Sequence, residues 1–278
     1  MDIGHAESRQ IVSRDTQLER SEGLRGSEWI GNMDAESFSR PDNRKPDELR
    51  PLEFVLDFAP AAAGSVLVRM GNTHVLCGVS IEESVPRWMR AKKVSGGWLT
   101  AEYSMLPYAT KQRTSRESTL GKVGGRTHEI QRLIGRALRA VVDLEKLGTR
   151  TLWIDCDVIQ ADGGTRTAAI TGAFVALRLV VDRLIKEKIL SEDPIRESVA
   201  AVSVGMAKGQ PLLDLCYAED VDADVDMNVV MTASGKFVEV QGTAEDQPFS
   251  KAEMENMLSL AEKGIRDLIK AQMAGLKK

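Results

Sequence analysis

The sequence has few of the residues from which disulfide frameworks, zinc sites and nucleophilic triads are built. Its 278 residues include three cysteines and three histidines. Cys77, Cys156 and Cys216 lie far apart in apolar stretches and form no CxxC pair. This spacing argues against a disulfide framework or a zinc site and favours a reducing, cytoplasmic compartment. No Ser-His-Asp or Cys-His arrangement is visible, so a triad enzyme is not indicated.

Long apolar runs and a strong charge balance are also missing. No stretch reaches the ~18 apolar residues of a membrane span. The N-terminus lacks the apolar core of a secretory signal, so no membrane association is expected. A net charge of −4 argues against a protein that coats nucleic acid with its whole surface, but it allows a local basic groove.

The rest of the composition suits one α/β (α+β) domain. Hydrophobic residues make up 42% of the chain, enough for a sizeable core. The first 40 residues are polar without apolar periodicity, so we predict a disordered extension at 1–38 and a folded domain at 39–278. Hydrophobic periodicity predicts strands at 51–58, 64–70, 73–82, 98–105, 152–159, 198–206, 211–217, 226–232 and 236–241, and helices at 127–147, 165–188 and 250–273. A long basic loop is expected at 107–125.

The segment 152–181 is the best local candidate for an anion site. It combines an alternating strand, a break at Asp162-Gly163-Gly164 and a buried helix that begins at Thr165. Free N–H groups and the helix dipole favour an anion there, and Thr165 and Arg166 add a hydroxyl and a guanidinium. No Gly-Lys-Ser/Thr follows, so it is not a Walker loop. The alternative is a tight turn with an N-cap threonine and a surface arginine.

A second turn has the same character. Gly124-Gly125-Arg126-Thr127 again places arginine and threonine at a predicted helix start. If the two turns converge, their two guanidinium groups can grip one phosphate and hold it ready for reaction. The alternative for Arg126 is a surface arginine at the start of a helix.

An acidic cluster runs from Glu219 to Asp226 between two apolar segments. Carboxylates beside a phosphate site can hold magnesium or act as general acids. The alternative is a solvated acidic loop, which we favour for Asp222 and Asp224. Asp226 opens an apolar strand and is therefore the better candidate for facing a site.

Basic residues are concentrated between positions 111 and 139. They are Lys111, Arg113, Arg116, Lys122, Arg126, Arg132, Arg136 and Arg139. Such arrays bind phosphodiester backbones. We favour that interpretation for Arg113 and Arg116, which lie on the polar loop. Arg132, Arg136 and Arg139 share one helical face, and for them we favour pairing with acidic side chains of this chain or of a neighbouring subunit.

Six segments closely resemble motifs of the bacterial ribonuclease PH family. They are Arg-Pro-Asp-Asn-Arg-Lys-Pro-Asp-Glu-Leu-Arg at 40–50, Gly-Gly-Arg-Thr at 124–127, and the segments 130–140, 155–168, 226–231 and 239–245. They occur in the family's order, and the resemblance runs from about residue 39 to the C-terminus. It implies the RNase PH fold, which is related to ribosomal protein S5 domain 2, and a homohexamer built as a trimer of dimers.

The resemblance also implies an activity. The family's enzymes are phosphate-dependent 3′→5′ exoribonucleases, or tRNA nucleotidyltransferases, that trim tRNA precursors and release nucleoside diphosphates. We expect rRNA as a further candidate substrate and nucleotide addition to 3′ ends as the reverse reaction. By motif match, Arg126 and Gly164-Thr165-Arg166 would bind the attacking phosphate.

The same resemblance assigns the remaining site residues. Asp220 and Asp226, six positions apart, would hold Mg²⁺ or assist proton transfer, and with Arg126 and Arg166 they would form the catalytic set. Arg113 and Arg116 match basic positions that guide the RNA.

Two positions depart from the family's pattern. Tyr108 follows Leu-Pro where the family commonly has arginine, so a basic RNA contact is missing or is replaced by stacking of a base. Asp246 stands where glycine is usual.

Two other functions compete with the enzyme. One is a catalytically silent ring subunit that only binds RNA, and the retained arginines and aspartates argue against it. The other is a small-molecule phosphotransferase, against which the basic loop and the missing nucleotide-triphosphate loop argue.

Overall fold

The computed structural model describes residues 39–245 and 247–277. The predicted disordered segment at 1–38 and the departure at Asp246 lie outside these residues. The strands are β1 Leu52–Leu56, β2 Gly64–Met70, β3 Thr73–Glu82, β4 Trp98–Met105, β5 Thr151–Gln160, β6 Val199–Ala207, β7 Gln210–Leu213, β8 Val225–Thr232 and β9 Phe237–Ala244. The helices are α1 Arg87–Lys92, α2 Glu117–Leu120, α3 Gly125–Val141, α4 Thr165–Lys186, α5 Tyr217–Val221 and α6 Lys251–Gly275.

The strands form two sheets. One has the order β1-β2-β3-β5-β4, in which β4 and β5 are parallel and the other pairs are antiparallel. The other has the antiparallel order β7-β6-β8-β9. The antiparallel pairs β2–β3, β6–β7 and β8–β9 are hairpins that turn at Gly71-Asn72, Lys208-Gly209 and Ser234-Gly235.

Helix α4 packs against both sheets. It contacts β2 and β3 of the first sheet and β6 of the second. From Thr165 to Leu177 every residue except Arg166 is buried. A helix that is apolar on all sides belongs in a core, so the prediction of a buried helix is confirmed. On β5, Leu152, Ile154 and Val158 are fully buried, which confirms the predicted alternation.

Helix α3 ends earlier than predicted. Its apolar face is buried as expected, but it stops at Val141 instead of continuing to 147. Val142 is extended and forms a β-bridge with Ile195, and the N–H of Asp143 donates to the carbonyl of Pro194 at 2.7 Å. Tertiary pairing therefore overrides the local helix preference at this end.

The predicted strand at 211–217 is partly wrong. Strand β7 stops at Leu213, and α5 begins at Tyr217, the last residue of the predicted strand, and continues into the acidic cluster as far as Val221. Cys216 and Glu219 cap its start reciprocally, because the N–H of Cys216 donates to the Glu219 carboxylate at 2.9 Å. Short α1 was not predicted, and α2 lies inside the predicted loop.

Candidate active site

The glycine turn before α4 packs against the segment that carries the acidic cluster. Gly163 has φ +72°, and a Cβ there would lie 2.6 Å from the carbonyl oxygen of Leu215. Gly164 has φ +61°, and a Cβ there would lie 2.9 Å from Nη2 of Arg50. Both positions therefore require glycine for conformation and for space. The turn brings the first N–H groups of α4 next to the start of α5.

Two buried donors hold the carbonyl groups of this turn. Arg50 Nη1 donates to the carbonyl of Asp162 at 2.5 Å, and Thr73 Oγ1 donates to the carbonyl of Gly163 at 2.7 Å. In a trans peptide the N–H points away from the C=O. The N–H groups of Gly163 and Gly164 therefore point away from Arg50 and Thr73. The first N–H groups of α4 have no intrahelical partners and carry the positive end of the helix dipole.

A buried ion-pair network anchors the motif at 40–50 beneath this turn. Arg50 donates to Asp214 from Nε at 2.9 Å and from Nη2 at 2.6 Å. Arg40 donates to Glu219 from Nε at 2.6 Å and from Nη2 at 2.7 Å. Glu219 precedes Asp220, so the network fixes both the glycine turn and the helix that carries this aspartate.

The two arginine-bearing turns, whose convergence the sequence left open, lie close together. Arg166 Nη1 donates to Oε1 of Gln241 on β9 at 3.2 Å, and Gln241 Nε2 donates to Oε1 of Glu129 at 2.6 Å. Glu129 lies on α3, three residues after Arg126. The surrounding protein raises the pKa of Asp220 and that of Tyr103, and the charges of Arg126 and Arg166 oppose this shift at both groups. One cluster therefore contains both guanidinium groups, although their roles stay predictions.

The acidic cluster contributes two carboxylates to the cluster that contains Arg126 and Arg166. Although Asp220 is exposed, loss of hydration around its carboxyl group is the largest cause that raises its pKa, and the negative charge of Asp226 is the next largest. The two arginines act in the opposite direction, and the net pKa is above the ordinary value. Asp220 and Asp226 are thus close enough to repel each other. Asp222 and Asp224 are exposed, in line with the favoured alternative of a solvated loop.

The acid pair is compatible with magnesium. Mg²⁺ is usually held by one or two carboxylates together with waters and phosphate oxygens. Mutual repulsion between two carboxylates is relieved by a divalent cation. Within residues 39–245 and 247–277, no group of three or more His, Cys, Asp and Glu side chains has the arrangement of an all-protein metal site.

The basic loop lies beside the cluster. Arg113 and Arg116 are exposed, and a groove of about 480 Å³ runs between this loop and Tyr103. Glu117 Oε1 accepts from the N–H of Gly124 at 3.1 Å and from Thr127 Oγ1 at 2.7 Å. Glu117 therefore ties the loop to the start of α3, and the Gly124 N–H is already used. The guanidinium of Arg126 is the group of this turn that remains available to an anion.

Arg136 and Arg139, two of the three helical arginines, have partners within the chain. Arg136 binds both carboxylate oxygens of Glu239, with Nε to Oε2 at 3.0 Å and Nη2 to Oε1 at 2.7 Å. Arg139 Nη1 donates to the carbonyl of Leu99 at 2.9 Å, and its guanidinium lies 4.8 Å from the ring centre of Trp98. The prediction of an acidic partner is confirmed for Arg136, whereas Arg139 pairs with a carbonyl and an aromatic ring.

Comparison with known proteins places the chain in a family. Residues 48–181 match the model of the 3′ exoribonuclease family, domain 1, and residues 197–264 match domain 2 of the same family. The chain is 60% identical over 234 residues to ribonuclease PH of Bacillus subtilis, covering 84% of this chain and 95% of that protein. It is 58% identical over 234 residues to ribonuclease PH of Neisseria meningitidis serogroup B, covering 84% and 96%.

The chain belongs to the 3′ exoribonuclease family. At this identity to ribonuclease PH it is a phosphorolytic 3′→5′ exoribonuclease with inorganic phosphate as co-substrate, and the silent-subunit alternative is not favoured.

Two solved structures share the fold. Rice Rrp46 has a TM-score of 0.69 at 18% identity, covering 86% of this chain and 100% of that one. The Archaeoglobus fulgidus exosome with RNA bound to the active site has a TM-score of 0.71 at 22% identity, covering 84% and 92%. The predicted α/β fold of the ribosomal protein S5 domain 2 type is confirmed. In the described part of the chain no helix combines the length and hydropathy needed to cross a bilayer.

Proposed function

We propose that the protein trims the 3′ ends of tRNA precursors, with rRNA as a further candidate substrate. Inorganic phosphate attacks the last phosphodiester and releases a nucleoside diphosphate, and excess nucleoside diphosphate drives nucleotide addition. The cluster of Arg126, Arg166, Asp220 and Asp226 beside the glycine turn is the observation that carries the proposal.

In this proposal the glycine turn and the two arginines hold the attacking phosphate. Gly164 and Thr165 provide helix-start N–H groups and a hydroxyl, and Arg126 and Arg166 provide guanidinium groups from two different helices. Phosphate and the RNA backbone repel each other because both are anions. Fixed donors around the attacking phosphate offset this repulsion and the charge of the transition state.

Asp220 and Asp226 hold Mg²⁺ or assist proton transfer. The raised pKa of Asp220 supports this role, because it reflects loss of hydration around the carboxyl group and, next, the negative charge of Asp226, and a bound cation would offset both. When bound, the metal supplies charge neutralisation for the phosphates. The carboxyl of Asp220, with its raised pKa, is also suited to move a proton at the 3′ leaving oxygen.

Arg113 and Arg116 guide the RNA from the groove towards this cluster. Their exposure on a loop that Glu117 fixes to α3 supports the assignment. Tyr108 is 68% exposed on the same loop, so its ring is accessible to a base.

The assembly we propose is a cytoplasmic homohexamer, a trimer of dimers. The identity to ribonuclease PH supports this, and the unbonded Cys77 and Cys156 thiols, 3.7 Å apart, suit a reducing compartment. Light scattering should give a mass six times that of the 30.5 kDa chain. A monomer at all concentrations would contradict the assembly.

The decisive assay uses a tRNA with a short 3′ trailer, Mg²⁺, and phosphate present or absent. We expect nucleoside diphosphate only with phosphate. Arg166→Ala should abolish phosphorolysis while RNA binding largely survives, and Arg266→Ala on the surface of α6 is the matched arginine control. RNA binding by the wild-type protein without any nucleoside diphosphate release would support the silent ring subunit instead.

A further inference from the structure

Tyr103 has a buried hydroxyl that reaches the first residue of the phosphate-side helix. It lies on β4, whose inward side chains at Leu99, Ala101 and Tyr103 are buried beneath the core helices. Tyr103 is 3% exposed and Thr165 is 7% exposed. The Tyr103 hydroxyl donates to Oγ1 of Thr165 at 2.8 Å.

The direction of this hydrogen bond decides what Thr165 can do. A threonine hydroxyl has one proton to donate and two lone pairs that accept. Tyr103 occupies a lone pair, so the Thr165 proton must point elsewhere. Within residues 39–245 and 247–277, Tyr103 is the partner of this hydroxyl, and its proton is left for a ligand.

The surroundings keep the arrangement in place. Burial raises the pKa of Tyr103 above its ordinary value, although the bond to Thr165 and the charges of Arg126 and Arg166 act against the shift. The phenol therefore remains protonated and remains a donor. The two guanidinium groups that act on Tyr103 also act on Asp220, so this hydroxyl pair borders the proposed anion site.

We propose that Tyr103 is a positioning residue for phosphate: by donating to Thr165 it orients the Thr165 hydroxyl so that this hydroxyl donates to the inorganic phosphate. The inference rests on the proposed phosphate role of Thr165. Tyr103 does not touch the reacting atoms and acts only through Thr165. Without the phenol, the Thr165 hydroxyl is free to rotate, and part of its donation to the anion is lost.

The test is a double-mutant cycle on the full-length enzyme. Tyr103→Phe removes one oxygen and keeps the ring that fills the core. A misdirected hydrogen bond is worth roughly 2- to 12-fold in an equilibrium, so the KM for phosphate should rise about that much while the KM for RNA stays constant. Tyr103→Phe should have no further effect on the phosphate KM in a Thr165→Ala background, whereas Thr165→Ser should preserve the effect.

Controls separate positioning from simple loss of stability. Ser259→Ala removes an exposed hydroxyl on α6 and should leave both KM values unchanged. Equal loss of affinity for phosphate and RNA, an unchanged phosphate KM, or an undiminished effect in Thr165→Ala would each overturn the proposal. Failure of the broader function is distinct, because the wild-type enzyme would then release no nucleoside diphosphate at all.

Discussion

Replacing Asp214 with asparagine should destabilise the protein strongly, because this carboxylate balances a buried guanidinium. Its side chain is 0% exposed and that of Arg50 is 2% exposed. Asp214 accepts from the backbone N–H of Arg50 at 2.8 Å, from its Nε at 2.9 Å and from its Nη2 at 2.6 Å. Burial acts to lower the pKa of Arg50, but the charge and hydrogen bonds of Asp214 outweigh it, and the net pKa is raised.

The size of the effect follows from what remains after the change. Asparagine keeps the shape but presents an NH₂ group where an Arg50 donor needs a lone pair. The substitution also removes the negative charge of Asp214, and because Arg50 stays cationic its buried charge loses this partner. Breaking a buried pair in this way costs about 3–5 kcal/mol. Asp214 has φ +55°, a conformation that asparagine adopts readily, so backbone strain should not contribute.

Urea unfolding measures the change. With a slope of about 1–3 kcal/mol per molar urea, the midpoint of Asp214→Asn should fall by about 1 M or more. The control is Glu53→Gln, which breaks the exposed Arg69–Glu53 pair at 2.9 Å, with side chains 43% and 57% exposed. That variant should lose only about 0–1 kcal/mol. Both must be compared at one protein concentration, because the proposed self-assembly would make the midpoint depend on concentration. Equal midpoints for the two variants would refute the reasoning.

Three further changes separate the parts of the site. Gly164→Ala and Gly235→Ala both place a side chain at positive φ, at +61° and +80°, which costs roughly 1–2 kcal/mol. Only at position 164 would the new Cβ also meet Arg50, so Gly164→Ala should cost more stability and should alone raise the phosphate KM. Equal phosphate KM values for the two variants would contradict the site. Asp220→Asn should abolish activity yet raise stability at neutral pH. The folded-state pKa of Asp220 is above its unfolded value, so ionisation of this carboxyl group opposes folding as the pH rises between the two pKa values, and the stability gained by Asp220→Asn should vanish below the ordinary aspartate pKa. Unfolding midpoints at neutral and acid pH check this prediction, and a loss of stability at neutral pH would count against it. Arg113→Ala and Arg116→Ala should each weaken RNA binding and reduce the slope of log affinity against log salt concentration by about one. Arg136→Ala breaks the pair with Glu239 and should leave that slope unchanged in a binding titration. Identical slopes for all three variants would exclude the RNA assignment.

Hydrophobic periodicity and turn-forming residues were sufficient to predict most of the strands and helices. The buried faces of α3, β5 and α4 have clear patterns, and the three tight hairpins turn at Gly71-Asn72, Lys208-Gly209 and Ser234-Gly235. The errors fall where signals are short. Helix α5 has only five residues, Tyr217–Val221, and follows directly on an apolar run, so a strand pattern concealed it. Its one local signal was Glu219 three residues after the capping position at Cys216.

The convergence of the two arginine-bearing turns could be proposed from the sequence, but the residues that hold these turns in place could not be identified from it. Gln241 contacts partners 75 and 112 residues away, and Arg50 meets Asp214 across 164 residues. Contacts between residues so far apart in the chain produce no pattern in the local sequence, so they cannot be predicted from it. Tyr103 shows the same limit, because the strand pattern predicts its burial and gives no hint that its hydroxyl reaches Thr165.

The fold thus separates two kinds of charge around the glycine turn. Behind the turn, Arg50 and Asp214 are sealed from water and neutralise each other, so they fix the backbone without competing for a ligand. In front of it, Arg126 and Arg166 act on Asp220 while Asp226 opposes them, and none of these four is locked in a buried pair. A phosphate that engages the arginines withdraws their stabilising charge from Asp220. The pKa of this carboxyl should then rise further unless a cation binds beside it, so phosphate and cation binding should each favour the other.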